Sequence, residues 1–250
     1  MSRIEQALKK MEAVRKERPA GVEPSIVVTG AEGVHVDDRI VAYHQPGTVL
    51  TESFKQFNTV IRTITQGAAS TLGFTSASKG EGKSLVALNF AVALAYDCEG
   101  SVCVVDADLR RPSLHRLMGM RNTHGFADMV VGKLAVEEAP IPTPVEKLFL
   151  IPAGNIPPNP SELFGSRRAA QIIGELRSRF DYVVFDTASV LPVTDTIHLA
   201  TQLDGVVIVI EAGGTRRKQA SRAVELLGHA NVLGFILNKS ERDKNIKEYA

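Results

Sequence analysis

The sequence contains no tryptophan and few other aromatic residues, which narrows the range of possible functions. Aromatic residues make up 6% of the 250-residue chain, too few to build the stacking platforms used for single-stranded nucleic acid. Lysine and arginine total 29 and aspartate and glutamate total 28, so no overall field attracts the chain to nucleic acid or lipid. We therefore expect no nucleic-acid partner.

Cysteine and long apolar segments are scarce as well. The chain has two cysteines, Cys98 and Cys103, which are too few for a disulfide scaffold and favour a reducing compartment. No apolar run reaches membrane-spanning length, and no signal segment opens the chain. We therefore expect a cytoplasmic protein that is peripheral to the inner membrane through a partner.

The first part of the chain lacks a regular pattern. Apolar residues recur at helical spacing over residues 2–17, which predicts an amphipathic helix that packs on its own domain or docks on a partner. Residues 18–37 are rich in proline and glycine and are typical of a linker, with at most one short strand at 26–29. A further helix is predicted over residues 51–66, with Thr51 as its cap.

From residue 71 onward, short β-branched runs alternate with segments of helical period. The predicted strands cover residues 72–76, 101–106, 147–152, 181–186, 205–211 and 232–238. Near-continuous apolar strands separated by helices indicate a three-layer α/β fold, with a mostly parallel sheet flanked by helices. We therefore divide the chain into a helix and linker (1–37), one domain (38–240) and a polar, mobile tail (241–250).

The strongest motif is a glycine-containing loop between a predicted strand and an apolar helix, a context typical of phosphate-binding loops. Gly80 and Gly82 allow the backbone N–H groups to point inward at phosphate oxygens. Lys83 is placed to reach the β- and γ-phosphates of ATP, and the Ser84 hydroxyl to bind Mg²⁺. The residues predicted to contact the nucleotide here are Ser78, Lys79, Gly80, Glu81, Gly82, Lys83, Ser84 and Leu85.

Acidic residues end two other predicted strands, where parallel sheets place their sites. Asp106 and Asp108 are two residues apart, so one can approach a metal-bound water or a hydroxyl while the other orients it. Alternatively, Asp108 only caps a helix that starts near Pro112. The following Arg110 and Arg111 pair with these acids or stabilise phosphate charge. Asp186 ends a third strand and is predicted to bind Mg²⁺ with Ser84 and Asp106.

Asn238 ends the last predicted strand. Its side-chain amide is placed to contact the adenine base, although an asparagine in an exposed turn is an equally good interpretation. The catalytic set predicted from sequence is therefore Lys83, Asp106, Asp108 and Arg110, supported by ATP and Mg²⁺.

These motifs resemble those of the bacterial tyrosine kinases, P-loop kinases that regulate capsule and exopolysaccharide synthesis. The resemblance covers residues of about 38–240, and the opening segment 1–8 is similar to an exosortase-associated subgroup. It implies transfer of the γ-phosphoryl group of ATP, leaving ADP, to tyrosines in the C-terminal tail of a neighbouring subunit. It also implies a homo-oligomer, a membrane-anchored polysaccharide co-polymerase or chain-length regulator, and a cognate tyrosine phosphatase.

The sequence departs from this family in several places. Tyr249 is the one tyrosine in the tail, where the family carries a cluster. The motif used for ring assembly is represented by Glu52, Lys55 and Asn58, in which neither arginine is retained. Because the tail has one tyrosine, an alternative function is a non-phosphorylating ATPase switch that regulates by binding. Ser78 stands where septum-site and partitioning ATPases carry a signature lysine, which favours the kinases over those ATPases.

The other tyrosines are interpreted from their predicted elements. Tyr96 and Tyr182 fall in core elements and are predicted to be packed, whereas Tyr43 is left undecided.

Overall fold

The computed structural model describes residues 35–67 and 70–240. Its strands are β1 (Thr71–Ser76), β2 (Val102–Ala107), β3 (Ile141–Pro142), β4 (Leu148–Ile151), β5 (Tyr182–Thr187), β6 (Gly205–Glu211) and β7 (Val232–Asn238). Its helices are α1 (Val41–His44), α2 (Val49–Ile64), α3 (Lys83–Asp97), α4 (Leu114–Leu117), α5 (Phe126–Val130), α6 (Pro160–Phe164), α7 (Arg167–Arg179), α8 (Asp195–Ala200) and α9 (Arg217–Leu227). The helix predicted at 2–17, the strand at 26–29 and the tail at 241–250 lie outside the described residues.

The strands form one sheet in the order β3-β4-β2-β5-β1-β6-β7. All pairs are parallel except β3 with β4, which confirms the predicted α/β fold. The six predicted strands agree with the observed ones to within one residue at each end. The antiparallel β3 was not predicted, because two residues including a proline are too short to show a period.

The central strands are buried on both faces, which explains their continuous apolar pattern. Every residue of β1 and β2 is buried. Helix α3, which follows the loop after β1, is apolar on most of its surface because it lies between the sheet and α2. The rings of Phe74 on β1 and Phe90 on α3 pack with centroids 5.1 Å apart. This packing fixes α3, and therefore the loop before it, against the sheet.

Helix α2 begins earlier than predicted. Thr48 is its N-cap, and the Thr48 Oγ1 atom accepts a bond from the Thr51 amide at 3.5 Å. The prediction that Thr51 caps the helix is therefore wrong. Thr51 instead lies in the first turn, buried, with its hydroxyl donating to the Gln45 carbonyl at 2.9 Å. On the same helix, Lys55 pairs with Glu52 at 2.7 Å, while Asn58 is buried.

The prediction that Tyr96 is packed is also wrong, because 45% of this residue is exposed. Tyr96 lies in the last turn of α3, beyond the part of the helix that the sheet and α2 cover. Tyr182 and Tyr43 are partly buried against the core, as expected for Tyr182.

Candidate nucleotide-binding site

The loop between β1 and α3 is curled at two glycines. Gly80 and Gly82 have φ angles of 86° and 91°, a left-handed conformation that strongly favours glycine. A Cβ atom on Gly82 would lie 2.1 Å from the Asn238 side-chain nitrogen, so glycine is also required there for space. Within the described chain, the amides of residues 79–82 donate no hydrogen bond. These free donors before the N-terminus of α3 are suited to bind phosphate oxygens.

Lys83 begins α3 and extends to the tips of the neighbouring strands. Its Nζ atom lies 2.7 Å from Asp108 Oδ2 and 3.4 Å from Asp186 Oδ1. The side chain is 12% exposed, and this burial tends to lower its pKa. The negative charges of Asp186 and Asp108 outweigh burial and raise the pKa of Lys83. Lys83 is therefore a charged ammonium group held between two carboxylates from different strands.

Asp106 and Asp186 stand side by side, because they are register partners on the paired strands β2 and β5. Both are fully buried. Asp106 Oδ2 accepts bonds from the Ser113 and Leu114 amides at 2.8 and 2.9 Å. Among the described residues, Asp106 Oδ1 and Asp186 Oδ2 have no hydrogen-bond partner. Two buried carboxylate oxygens are thus left without a donor at the same edge of the sheet.

Burial and the charge of a nearby acid raise the pKa values of both residues, the nearby acid being Asp186 for Asp106 and Asp108 for Asp186. Burial is the main cause for Asp106, followed by the charge of Asp186, and together they raise its pKa to about 8. Burial also raises the pKa of Asp186, against the opposing effect of the Lys83 charge. Unpartnered buried carboxylates are costly in the absence of a cation, so this part of the fold is arranged for a ligand.

Mg²⁺ fits these residues. It prefers oxygen ligands and is commonly bound by one or two carboxylates together with phosphate oxygens and water. The two unpartnered oxygens of Asp106 and Asp186 are such ligands, and Ser84 Oγ lies 3.1 Å from the Lys83 ammonium beside them. In the ranges 35–67 and 70–240, no three His, Cys, Asp or Glu side chains form a metal site. The residues present are suited to an ion that arrives with a nucleotide.

Asp108 does not cap the helix after β2, because the N-cap of α4 is Ser113. The Ser113 and Leu114 amides donate to Asp106, whereas Asp108 accepts the Arg111 amide at 3.1 Å and binds Lys83. The alternative that Asp108 only caps a helix near Pro112 is therefore wrong.

The side chains of Arg110 and Arg111, which follow Asp108, contact different parts of the structure. The Arg110 guanidinium forms two bonds with Asp195, at 2.7 and 3.2 Å, and one with Ser161 at 3.0 Å. These contacts join the loop after β2 to α6 and α8. The structure does not bring Arg110 into the cluster around Lys83, and the catalytic role predicted for it gains no support from this geometry. Arg111, for which the sequence suggests the same two roles as for Arg110, lies beside that cluster instead.

A cavity of about 270 Å³ lies beside the loop. It is lined by Arg39, Lys79, Gly80, Gly82, Lys83, Ser84, Leu85, Asp108, Arg111, Ser113, Leu117 and Ser189. The members from the loop and Asp108 were predicted from sequence. Arg39 was missed because it lies far before the loop in the sequence and belongs to no motif.

Three of the predicted nucleotide contacts, Ser78, Glu81 and Asn238, are not in the wall of the cavity. The Ser78 amide is bonded to the Glu81 carboxylate at 2.8 Å, and that side chain is buried behind the loop. Asn238 is partly buried and donates to the Glu81 carbonyl at 2.9 Å, so it is not in an exposed turn. Its contact with adenine stays a prediction. Tyr249 lies outside the described residues.

A buried strand, a curled loop with free amides, and a lysine facing acids on adjacent strands together define a P-loop NTPase. The model of the ParA family, described as the NUBPL iron-transfer P-loop NTPase, matches residues 68–245. In the described part of the chain, no helix combines the length and apolarity needed to cross a bilayer.

Similarity to known proteins identifies the family within the P-loop NTPases. The chain is 33% identical over 217 residues to the tyrosine-protein kinase YwqD of Bacillus subtilis, covering 85% of this chain and 91% of YwqD. It is 31% identical over 210 residues to the succinoglycan biosynthesis transport protein ExoP of Rhizobium meliloti, covering 80% of this chain but 26% of ExoP. The kinase domain of the Escherichia coli tyrosine kinase ETK superimposes with a TM-score of 0.77 at 26% identity, covering 84% of each chain. The chain therefore belongs to the bacterial tyrosine kinase family of P-loop NTPases.

Proposed function

We propose that this chain is an ATP-dependent protein-tyrosine autokinase that regulates exopolysaccharide or capsule synthesis and export. The observation that carries the proposal is the contact of the Lys83 ammonium with the Asp108 and Asp186 carboxylates, next to Asp106 on the strand paired with that of Asp186 and beside a loop whose amides are free. This arrangement places one cation, two acids and several backbone donors where a triphosphate is held in P-loop proteins.

The residues of the loop bind and position the phosphates. The amides of residues 79–82 would donate to phosphate oxygens, and Lys83 would exchange its contact with Asp108 for the β- and γ-phosphates. Ser84, Asp106 and Asp186 would hold Mg²⁺, which neutralises phosphate charge when bound. Asn238, which touches the loop backbone, is the candidate contact for the base.

The transfer itself requires little covalent chemistry from the protein. The tyrosine hydroxyl oxygen forms a bond to the γ-phosphorus while the bond from that phosphorus to the β–γ bridging oxygen breaks, which releases ADP. The hydroxyl proton passes to the carboxylate that orients the oxygen, Asp106 or Asp108. Lys83 and the loop amides stabilise the charge that develops on the departing oxygen. The candidate acceptor is Tyr249.

The proposed partners follow from the family and from the named relatives. ExoP is a biosynthesis transport protein in which a domain like this one is a minor part of the chain. We infer that this chain acts with a membrane-anchored co-polymerase or chain-length regulator, as a peripheral protein on the cytoplasmic side. Phosphorylation of a neighbouring copy would require a homo-oligomer, and a cognate tyrosine phosphatase would reset the tail.

The proposal is tested by incubating the purified chain with Mg·ATP and mapping phosphotyrosine by mass spectrometry. Phosphotyrosine at Tyr249 is expected, together with ADP. The competing function is an ATPase switch without self-phosphorylation, which is favoured by the presence of one tail tyrosine. That switch would release ADP while every tyrosine stays unmodified, and this result would contradict the kinase proposal.

A further inference from the structure

Glu81 lies within the phosphate-binding loop, yet its side chain faces away from the cavity. The residue is 4% exposed, whereas its neighbours Lys79 and Gly80 are exposed and line the cavity. A carboxylate that pointed at phosphates would repel them. The burial of Glu81 therefore needs a cause on the other side of the loop.

That cause is a pair of hydrogen bonds, one to each carboxylate oxygen. Glu81 Oε2 accepts the Ser78 amide at 2.8 Å, which closes the loop on itself. Glu81 Oε1 accepts the hydroxyl of Thr215 at 2.5 Å. Thr215 lies in the segment that joins β6 to α9, 134 residues away in the sequence.

The direction of the Thr215 bond is fixed by a second contact. Thr215 Oγ1 also accepts the amide of Glu211, the last residue of β6, at 2.8 Å. A threonine hydroxyl has a single proton, and with the Glu211 amide donating to its oxygen, that proton is directed to Glu81. The carboxylate, the hydroxyl and the end of β6 thus form one continuous chain of hydrogen bonds.

The loop backbone is held at a second point nearby. The Asn238 side chain donates to the Glu81 carbonyl at 2.9 Å, and the Ala212 amide donates to the Asn238 carbonyl at 2.8 Å. The ends of β6 and β7 therefore contact Glu81 through both its side chain and its backbone. These contacts hold the loop from the side of Glu81, while the amides of residues 79–82 donate no hydrogen bond within the described residues.

We propose that Glu81 is a positioning residue for the nucleotide. Through Thr215 it keeps the phosphate-binding loop in its curled shape before phosphate arrives, so that binding does not have to order the loop. The same contacts link nucleotide affinity to the segment between β6 and α9. The inference rests on the proposed function only in requiring that the site binds a nucleotide, and it assigns the Glu81 side chain no contact with substrate.

The test compares Thr215→Val with Thr215→Ser in the full chain, using calorimetric titration with Mg·ADP. Valine keeps the shape and removes the hydroxyl, so the Kd is expected to rise about tenfold. Serine keeps the hydroxyl and is expected to bind within about twofold of the natural chain. Unchanged affinity in Thr215→Val, or an equal loss in both variants, would overturn the inference.

A double-mutant cycle separates positioning from general damage. Because Glu81 and Thr215 act as one unit, Glu81→Gln combined with Thr215→Val should bind ADP no more weakly than Glu81→Gln alone. If the fold-increase in Kd of the double variant equalled the product of the two single fold-increases, the two residues would act independently, and the coupling would be contradicted. If Thr215→Val does not fold, Glu81→Gln is tested by itself. Its Kd for Mg·ADP is also expected to rise about tenfold, and an unchanged Kd would contradict the inference. Both experiments measure nucleotide binding and not phosphorylation. A chain that binds ADP but forms no phosphotyrosine would therefore contradict the kinase proposal and leave the inference about Glu81 standing.

Discussion

Acidic residues stand at both edges of the parallel sheet, and the fold treats the two edges in opposite ways. At the amino edge, Asp204 Oδ2 accepts the Ser70 and Thr71 amides at 3.0 and 2.9 Å, and Asp204 Oδ1 pairs with Arg177 at 2.7 Å. At the carboxyl edge, Asp106 and Asp186 each keep one oxygen with no partner within the described residues. Both carboxylate oxygens therefore have partners at the amino edge, whereas one oxygen of each acid at the carboxyl edge lacks a partner among the residues that the structure describes.

The pKa values of the acids follow this contrast. Burial alone would raise the pKa of Asp204, but the hydrogen bonds from Thr71 and Ser70 outweigh it and lower the pKa. Burial and repulsion raise the pKa of Asp106 and of Asp186. We conclude that the amino edge stabilises the fold, while the carboxyl edge gives up stability to retain a site for a cation and phosphates.

The largest expected effect is the loss of phosphotransfer when Lys83 is replaced. Lys83→Met removes the ammonium group that faces both Asp108 and Asp186, and labelled phosphate in tyrosine should fall about 100-fold or more. The matched control is Lys133→Met, which removes an exposed ammonium group from the segment after α5 and should leave labelling unchanged. Full labelling in Lys83→Met would show that the carboxyl edge of the sheet is not the site of phosphotransfer.

The next effect is on stability, at the amino edge. Asp204→Asn replaces a carboxylate that accepts two backbone amides and an arginine, and should cost about 2 kcal/mol of unfolding free energy at pH 7. Because the folded-state pKa is lowered, this stabilisation is present above the unfolded pKa of about 3.9 and is lost as the pH falls through the folded value. Urea unfolding at pH 7 and at pH 3 should show the difference between the two chains shrinking in acid. An equal difference at both pH values would contradict this explanation.

A smaller effect of opposite sign is expected at the carboxyl edge. Asp106→Asn keeps an oxygen that can accept the Ser113 and Leu114 amides, while it removes a buried group whose ionisation is unfavourable beside Asp186. The nucleotide-free protein should be unchanged or more stable by about 1 kcal/mol, and phosphotyrosine should be lost. A clear loss of stability in thermal unfolding would show that the two edges do not differ in the way described.

The smallest effect is expected away from both edges. Lys55 and Glu52 form an exposed pair on α2 at 2.7 Å, and such pairs contribute little because water and salt screen them. Lys55→Ala should change the free energy of unfolding by less than about 0.5 kcal/mol. A larger change in a denaturation experiment would mean that surface pairs, and not the edge acids, account for much of the stability.

The fold and the centre of the site could be predicted from sequence because their signals are local. The loop from Ala77 to Ser84 lies between an apolar strand and an apolar helix, and Asp106 and Asp186 each end an apolar strand. In a parallel sheet these ends meet at one edge. The meeting of Lys83 with Asp186, 103 residues apart, therefore follows from the strand pattern alone.

Other features depend on contacts that no local pattern encodes. Arg110 and Arg111 are the same residue type in the same motif, and only the position of Asp195, 85 residues away from Arg110, separates their roles. The Glu81 side chain faces Thr215 for a similar reason. The exposure of Tyr96 depends on where the neighbours of α3 end, which the period of the helix does not indicate.

The central claim is that the incomplete acids of the carboxyl edge bind Mg²⁺ together with a nucleotide. It is tested most directly by titrating ADP with and without Mg²⁺ into the natural chain, Asp186→Asn and Asp204→Asn. The account predicts that Mg²⁺ strengthens ADP binding in the natural chain and in Asp204→Asn, and that this gain disappears in Asp186→Asn. An equal gain from Mg²⁺ in Asp186→Asn, or no gain in the natural chain, would contradict it.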